Sequence, residues 1–363
     1  MKLKSITIKN FKGIEHREFT LDPALTIITS ERNGEGKTRM LDAVGQALYP
    51  FLNAVNKRSK QGALKAEETT WRRPSEGPQP DIVTEIRASS SLWSTEEISW
   101  SQTLTVKEVA TTTYRYGIRE DQIEREGTLI EDEGTSSLRT MAQGGAASGA
   151  IMPIVRYGQL ERINFDTTLS KASIKALAAS KAPGRLNSYE SSLGKFTLDE
   201  FLIWYKHLND ATGNGLELDD DQRSRQLAFV QHCVTSLVQP RFGWHTLRYQ
   251  DDGEFFLYLQ HPEKGIFPLM LLSRSEVQLV MLAADLAYRT CSLNPAVDDY
   301  TQVPGVVLID AVEAGLDVNG QRAILPALQS TFPNVQFIVT TSSPFVSLSA
   351  LPTQLRMISA PLT

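Results

Sequence analysis

The stretch Leu25–Ala43, LTIITSERNGEGKTRMLDA, decides the fold. Five apolar or β-branched residues, Leu25 to Thr29, lead toward a glycine-containing turn, and then Met40, Leu41, Val44 and Leu48 recur at helical spacing. A strand, a tight loop and a helix therefore follow one another. Backbone N–H groups at such a turn form a nest for an anion, and the helix N-terminus adds a favourable dipole. Asn33, Gly34 and Gly36 shape the nest, Lys37 reaches the terminal phosphates of a nucleotide, and Thr38 supplies a hydroxyl for Mg²⁺. The pattern opens with glycine five residues before Gly36, and this chain has Glu31 there. A carboxylate about 4 Å from a phosphate charge is repelled by about 4 kcal/mol at an effective dielectric of about 20. That is about three decades in affinity if Glu31 faces the phosphates. If it turns to solvent, the cost falls to strain at a position that favours a residue without Cβ.

Composition sets wide bounds. The chain has 363 residues, 41% of them hydrophobic and 22% charged, as in an ordinary globular protein large enough for a substantial core. A net charge of −5 argues against coating nucleic acid by bulk charge. Cys233, in a helical pattern, and Cys291, in a loop approach, form no disulfide framework or zinc pattern. His16, His207, His232, His245 and His261 lack metal-ligand spacing. The first residues alternate like a strand rather than a signal peptide, and no run approaches a membrane span. The expected location is cytoplasmic, with no membrane partner.

Beyond the loop, Lys57–Pro80 reads as a charged, Pro-rich connection. DIVTEIRAS, ISWSQTLTVKEV and TYRYGI alternate with period two and predict an antiparallel lobe near residues 82–118. Glu131–Ala150 is small and polar and reads as a mobile loop. IMPIVRYG is a buried-type strand, and helices are expected at Phe196–Leu208 and Gln222–Val238. The acidic run Asp219–Asp221 suits the start of the second helix. Two strands near Trp244–Leu259 follow, then a helix after Leu272-Ser273. Strand GVVLID, helix GQRAILPALQSTF and strand VQFIVTTSS then make a strand–helix–strand unit of a parallel sheet. The chain divides into an N-terminal lobe (1–160), a helical insertion (161–240) and a C-terminal lobe (241–363). GVVLID ends in Asp310, placed to orient a Mg²⁺ shell, but the next residue is Ala311, which has no proton to exchange. Glu313 is a candidate substitute base.

KLKSITIKNFKGIE, NGEGKT, MPIVRYGQLER, LLSRSEVQLVMLAADLAYR and GVVLIDAVEAGLDVNGQRAILPALQSTFPNVQFIVTTSSP, with the spacing between them, resemble ABC-type ATPases of the RecF/SMC-like branch. More narrowly, the chain resembles bacterial AAA family ATPases labelled predicted ATP-binding proteins involved in virulence, which also occur in anti-phage loci. The resemblance covers most of the chain and is weakest over residues 57–150. It implies an α/β ABC-type head with a mainly parallel sheet, an antiparallel β lobe, a helical insertion and no long coiled coil. It also implies ATP and Mg²⁺ as ligands and a composite site made by head-to-head pairing. Lys12 and Gln159 would touch nucleotide or its metal, Ser273 would belong to the signature loop, and Thr38 and Asp310 would serve Mg²⁺.

The departures cluster on that composite site. The family has glycine where Glu31 and Ser275 stand, glutamate at Ala311, and histidines at Gly315, Asp317 and Ser342. An Ala311 introduced to trap ATP would account for one departure and leave the others. The leading expectation is a degenerate ATPase with weak or absent hydrolysis, a pseudo-ATPase acting as a structural or regulatory partner in a bacterial complex such as an antiviral defence system. It would pair as a homo- or hetero-oligomer, with an intact ATPase or a nuclease as candidate partner. One rival is a slow ATPase of a defence or repair system that uses Glu313. Another is a nucleic-acid-sensing head. RSKQGALK and WRRPSEG, with Trp71 beside Arg72 and Arg73, are able to meet a nucleic-acid backbone, although a solvated loop explains them more simply.

Overall fold

A computed structural model describes residues 1–32, 34–56, 63–70, 82–93, 97–115, 118–159, 184–193, 199–210, 216, 218–250 and 257–358, with backbone alone over 108–125. Contacts divide the chain into two compact units. One comprises Met1–Pro23, Gly34–Ser148 and Ile358–Thr363, the other Ala24–Asn33 and Gly149–Met357.

The first unit is built on a five-stranded antiparallel sheet in the order β2-β1-β4-β5-β6. Its strands are β1 (Lys2–Phe11), β2 (Ile14–Thr20), β4 (Ile82–Ser91), β5 (Ile98–Arg115) and β6 (Ile118–Glu131). Alternation in β1 buries Ile6 and Ile8, as a half-buried strand requires, and a register shift between Leu3 and Ser5 separates them from buried Leu3. Helix α1 (Lys37–Asn56) buries Leu41, Val44, Leu48 and Phe51, and Trp100 of β5 donates its indole N–H to Ala47 O at 2.8 Å.

Two expectations are corrected in this unit. ISWSQTLTVKEV and the Thr113–Arg115 part of TYRYGI belong to one long strand, β5, and the acid-rich segment IREDQIEREGTLIE, whose charges hide its β character, forms the partner strand β6. Glu131–Ala150, expected to be a mobile loop, holds helix α2 (Glu133–Ser148). Asp132 starts it, accepting from Thr135 N–H at 2.9 Å, and Leu138 and Ala142 are buried four residues apart. The small residues serve close packing: a Cβ on Gly134 would lie 1.9 Å from Ser99 O, and one on Gly145 would meet the Trp93 ring at 2.2 Å.

The second unit is centred on a sheet ordered β13-β3-β12-β11-β7. Its strands are β3 (Leu25–Ser30), β7 (Ile154–Gln159), β11 (Gly305–Asp310), β12 (Val335–Thr340) and β13 (Leu355–Ile358). β3, β12, β11 and β7 pair in parallel, so the apolar runs of β11 and β12 are buried throughout. Helix α6 (Val318–Thr331) links β11 to β12, and a short helix α7 (Pro344–Ser347) follows. Helices α3 (Asp199–Asn209), α4 (Asp220–Phe242) and α5 (Arg274–Leu293) cover the core, with a small antiparallel sheet of β8 (Thr246–Tyr249), β9 (Leu257–His261) and β10 (Gly265–Pro268). Asp219 caps α4, accepting from Gln222 N–H at 2.7 Å, and Gly243 ends the helix in the left-handed region. Cys291, expected in a loop approach, is inside α5. It and Cys233 are buried thiols whose pKa burial pushes well up, which makes them poor nucleophiles.

A buried ionic cluster holds this unit's layers together. Arg156 of β7 and Arg289 of α5 both donate to Asp285, at 2.8 and 3.0–3.1 Å. Arg156 also reaches Ser191 O at 2.7 Å, and Arg289 reaches Ser191 Oγ at 2.8 Å. Segment 184–193 is thereby fastened to β7, where Tyr157 N–H also donates to Ser192 O at 2.7 Å.

Candidate functional site

Glu31 belongs to the second unit, and Gly34 through Thr38 to the first. Gly34 and Gly36 lie at φ 91° and 99°, in the left-handed region where glycine is unstrained. No atom lies within 4 Å of the place a Cβ would take on Gly34. Lys37 and Thr38 open α1, whose first turn carries no acidic residue. An open backbone turn feeding an acid-free helix start fits a phosphate chain. Asn33 lies outside the described residues, as do Trp71, Arg72, Arg73 and most of RSKQGALK. Glu31 follows the end of β3 and is exposed.

Lys12 sits in the β1–β2 turn at φ 45°. Its ammonium pairs with Asp42 of α1 at 3.0 Å and Glu68 at 3.2 Å, and its backbone N–H donates to Glu68 O at 2.6 Å. Partial burial works against its charge, but these two carboxylates outweigh it and hold the Lys12 pKa above its ordinary value. Lys12 thus ties the turn to α1. Asp42 and Glu68 were not legible as its partners, because they lie 30 and 56 positions away without a repeating pattern.

In the second unit the structure brings Gln159, Asp310, Ala311, Glu313 and Ser342 together at the carboxyl ends of parallel strands. Asp310 and Gln159 are register partners on β11 and β7, and the Gln159 amide donates to Asp310 Oδ2 at 3.1 Å. The Thr340 hydroxyl donates to Asp310 Oδ1 and accepts from Ala311 N–H at 2.8 Å. Ala311 itself is at φ 52° and presents only a methyl group. Both Glu313 oxygens accept hydrogen bonds, from Thr341 Oγ1 and from Ser342 N–H, each at 2.7 Å. The carboxylate therefore cinches the segment after β12 to the acidic motif. TTSSP pointed to this segment through Ser342 alone, whereas the contacts come from the Thr340 and Thr341 hydroxyls together with the Ser342 backbone N–H.

The signature-like loop has a different organisation. Ser273 is the N-cap of α5, and its backbone N–H donates to Glu276 Oε2 at 2.8 Å. The Ser273 hydroxyl also donates to Glu276, and Ser275 Oγ lies 3.3 Å from it. Trp244 Nε1 donates to the other Glu276 oxygen at 2.6 Å. Burial opposes the Glu276 charge, yet the bonds from Ser273 and Trp244 prevail and hold its carboxyl below the usual range. The capping box was readable from Ser273 and Glu276 three residues apart; Trp244 was not.

Gly315 and Asp317 have local structural tasks. Asp317 caps α6, accepting from Gly320 N–H at 2.9 Å, and pairs with Arg241. Gly315 is at φ 75°, and a Cβ there would lie 2.3 Å from Gln278 Oε1. Gly315→Ala is therefore expected to destabilise the chain by about 1–2 kcal/mol from the left-handed backbone alone, with a further loss as Gln278 shifts. Urea unfolding of the two proteins checks this, and equal midpoints would contradict it.

The chain belongs to the AAA domain family, whose model matches residues 5–203. It is 21% identical to the Retron Vc95 probable ATPase of Vibrio cholerae serotype O1 biovar El Tor, over 99% of this chain and 74% of that protein. A shorter match, 42% identical over 78 residues, joins 22% of this chain to 14% of the Retron Ec83 probable ATPase of Escherichia coli. Among solved structures, the SMC head domain from Thermotoga maritima aligns with 98% of this chain and 94% of its own, with a TM-score of 0.49 and 15% identity. An Smc head bound to the C-winged helix domain of ScpA aligns with 96% of this chain and 92% of its own, with a TM-score of 0.48 and 14% identity. Among the described residues no helix is long and apolar enough to cross a membrane.

Proposed function

We propose that this chain binds ATP but hydrolyses it weakly or not at all, and serves as a nucleotide-bound structural or regulatory partner in a bacterial complex. The observation that carries the reading is the pair Ala311 and Glu313. Water attack on a phosphoryl group needs a positioned base, and the residue after Asp310 offers a methyl group. The neighbouring carboxylate, Glu313, has both oxygens engaged by Thr341 and Ser342, so it is held by the segment after β12 rather than free to orient a water. Ser342 carries no imidazole with which to contact a terminal phosphate.

Binding is a separate property, and its parts are retained. In the first unit Gly34, Gly36 and the start of α1 would cradle the phosphates, Lys37 would pair with them and the Thr38 hydroxyl would suit Mg²⁺; in the second unit Asp310, with Gln159 beside it, is the carboxylate suited to the same cation. When bound, the cation supplies neutralisation of phosphate charge. Lys12 lies in the turn secured to α1, and Ser273 belongs to the face that a second head would present. The retron ATPase relatives support a place in a defence complex, as a homo- or hetero-oligomer with an ATPase or nuclease partner.

Phosphate release from Mg-ATP by the purified chain tests the reading. The expected rate is at most slightly above that of Lys37→Ala, and sustained turnover of at least about one per second, within the ordinary enzyme range, that disappears in Lys37→Ala would overturn it. Because Glu31 is exposed, its charge acts through water, where a pair about 4 Å apart is worth about 1 kcal/mol. Glu31→Gly is therefore expected to tighten ATP binding by less than about tenfold in calorimetry. A gain of three decades would mean that Glu31 blocks the loop.

A further inference from the structure

β12 is buried from Val335 to Thr340, and Val335, Phe337, Ile338 and Val339 are the apolar residues that a central parallel strand calls for. Thr340 ends the strand with a hydroxyl although it is only 1% exposed. Valine has the same branched shape and a similar preference for strands, so packing alone does not select threonine here. A buried hydroxyl is costly unless its hydrogen bonds are made. Both bonds of this one are made at the acidic motif.

The two bonds fix each other. Thr340 Oγ1 accepts from Ala311 N–H at 2.8 Å, so its single proton is left for Asp310 Oδ1. The hydroxyl therefore has one direction. On the other side of β11, Gln159 of β7 donates to Asp310 Oδ2 at 3.1 Å. β11 lies between β12 and β7, so each neighbouring strand supplies one donor, and together they set the rotation of the carboxylate. The next residue makes the contrast: the Thr341 hydroxyl goes to Glu313 and not to Asp310.

We infer that Thr340 is a positioning residue that orients the Asp310 carboxylate for the Mg²⁺ accompanying ATP. It has this role only if the chain binds ATP with its cation, as proposed above. A carboxylate oxygen carries two lone pairs, so accepting a hydrogen bond is compatible with coordinating a cation at the same oxygen. Groups that hydrogen-bond a metal-ligating carboxylate fix its direction, and losing one typically costs about 10–100-fold in metal affinity. Thr340 acts through Asp310 and has no contact of its own with the cation in this assignment.

Calorimetry with ATP, in Mg²⁺ and again in EDTA, on the full chain and its Thr340→Val, Thr340→Ala and Thr340→Ser variants tests the inference. Valine keeps the volume without the hydroxyl, and serine keeps the hydroxyl without the methyl. Thr340→Val should lower the affinity for Mg-ATP by about tenfold, while the affinity in EDTA stays within about twofold of wild type. Thr340→Ser should recover most of the loss. Thr340→Ala carries the same expectation as Thr340→Val and replaces it if the valine variant does not melt as a folded protein. A packing role alone predicts the opposite order, with valine the better substitute, and similar changes in Mg²⁺ and in EDTA. Equal Mg-ATP affinity in Thr340→Val and wild type, or an equal loss in EDTA, would overturn the inference while ATP binding stands. A wild-type chain that binds ATP equally well in Mg²⁺ and in EDTA would also overturn it, and one that binds no ATP would overturn the binding reading as well.

Discussion

Replacing Asp285 with alanine is expected to destabilise the chain by about 3–5 kcal/mol in urea unfolding. Arg156 and Arg289 are each 1% exposed, and Asp285 is the buried carboxylate that answers both. Removing it leaves two guanidiniums in the core with backbone and hydroxyl acceptors and, for Arg289, the more distant Glu200 at 3.8 Å. Glu200→Gln should cost much less, since Glu200 is partly exposed and lies 3.8 Å from Arg289. A loss below about 1 kcal/mol for Asp285→Ala would show that water reaches the cluster. Burial alone would raise the Asp285 pKa, but the two arginines dominate and hold it below the ordinary carboxylate value. The sign follows: this stabilisation is fully present above the unfolded value of about 3.9 and is lost as pH falls through the lower folded value.

Lys37→Ala should weaken ATP binding by at least about 100-fold, or about 3 kcal/mol, in calorimetry with Mg-ATP. The ammonium at the first position of α1 is the charged donor that the phosphate loop contributes, and the backbone nest alone recovers only part of that interaction. The same substitution should leave the urea midpoint nearly unchanged, because Lys37 is not in the core. Equal ATP affinity in the two proteins would mean that the nucleotide, if bound, is held elsewhere.

The fold was legible where periodicity was strong. β3, α1, β11, α6 and β12 could be read from apolar spacing and from the glycines of the loop, because local sequence and global packing agree there. α2 was hidden by composition. Gly134 and Gly145 look like loop residues until Ser99 and Trp93 are seen to need the space above them. β6 was hidden by its acids, and β5 appeared as two strands.

The candidate site shows the same division. Lys37, Thr38, Asp310 and the departures at Ala311 and Ser342 were readable as letters in motifs. What Glu313 does was not readable, because its partners Thr341 and Ser342 lie on the next strand's exit and are 28 and 29 residues distant. The tie between Thr340, Asp310 and Ala311 depends likewise on strand order. Sequence thus located the chemistry, and three-dimensional pairing decided how each group is used.

The fate of bound ATP tests the central claim most directly. The purified chain is loaded with Mg-ATP, freed of unbound nucleotide, incubated and quenched, and its bound ATP and ADP are quantified beside those of Lys37→Ala. The account predicts that wild type retains nucleotide recovered as ATP, while Lys37→Ala retains little. Conversion of the bound ATP to ADP and phosphate by the wild-type chain alone would contradict it.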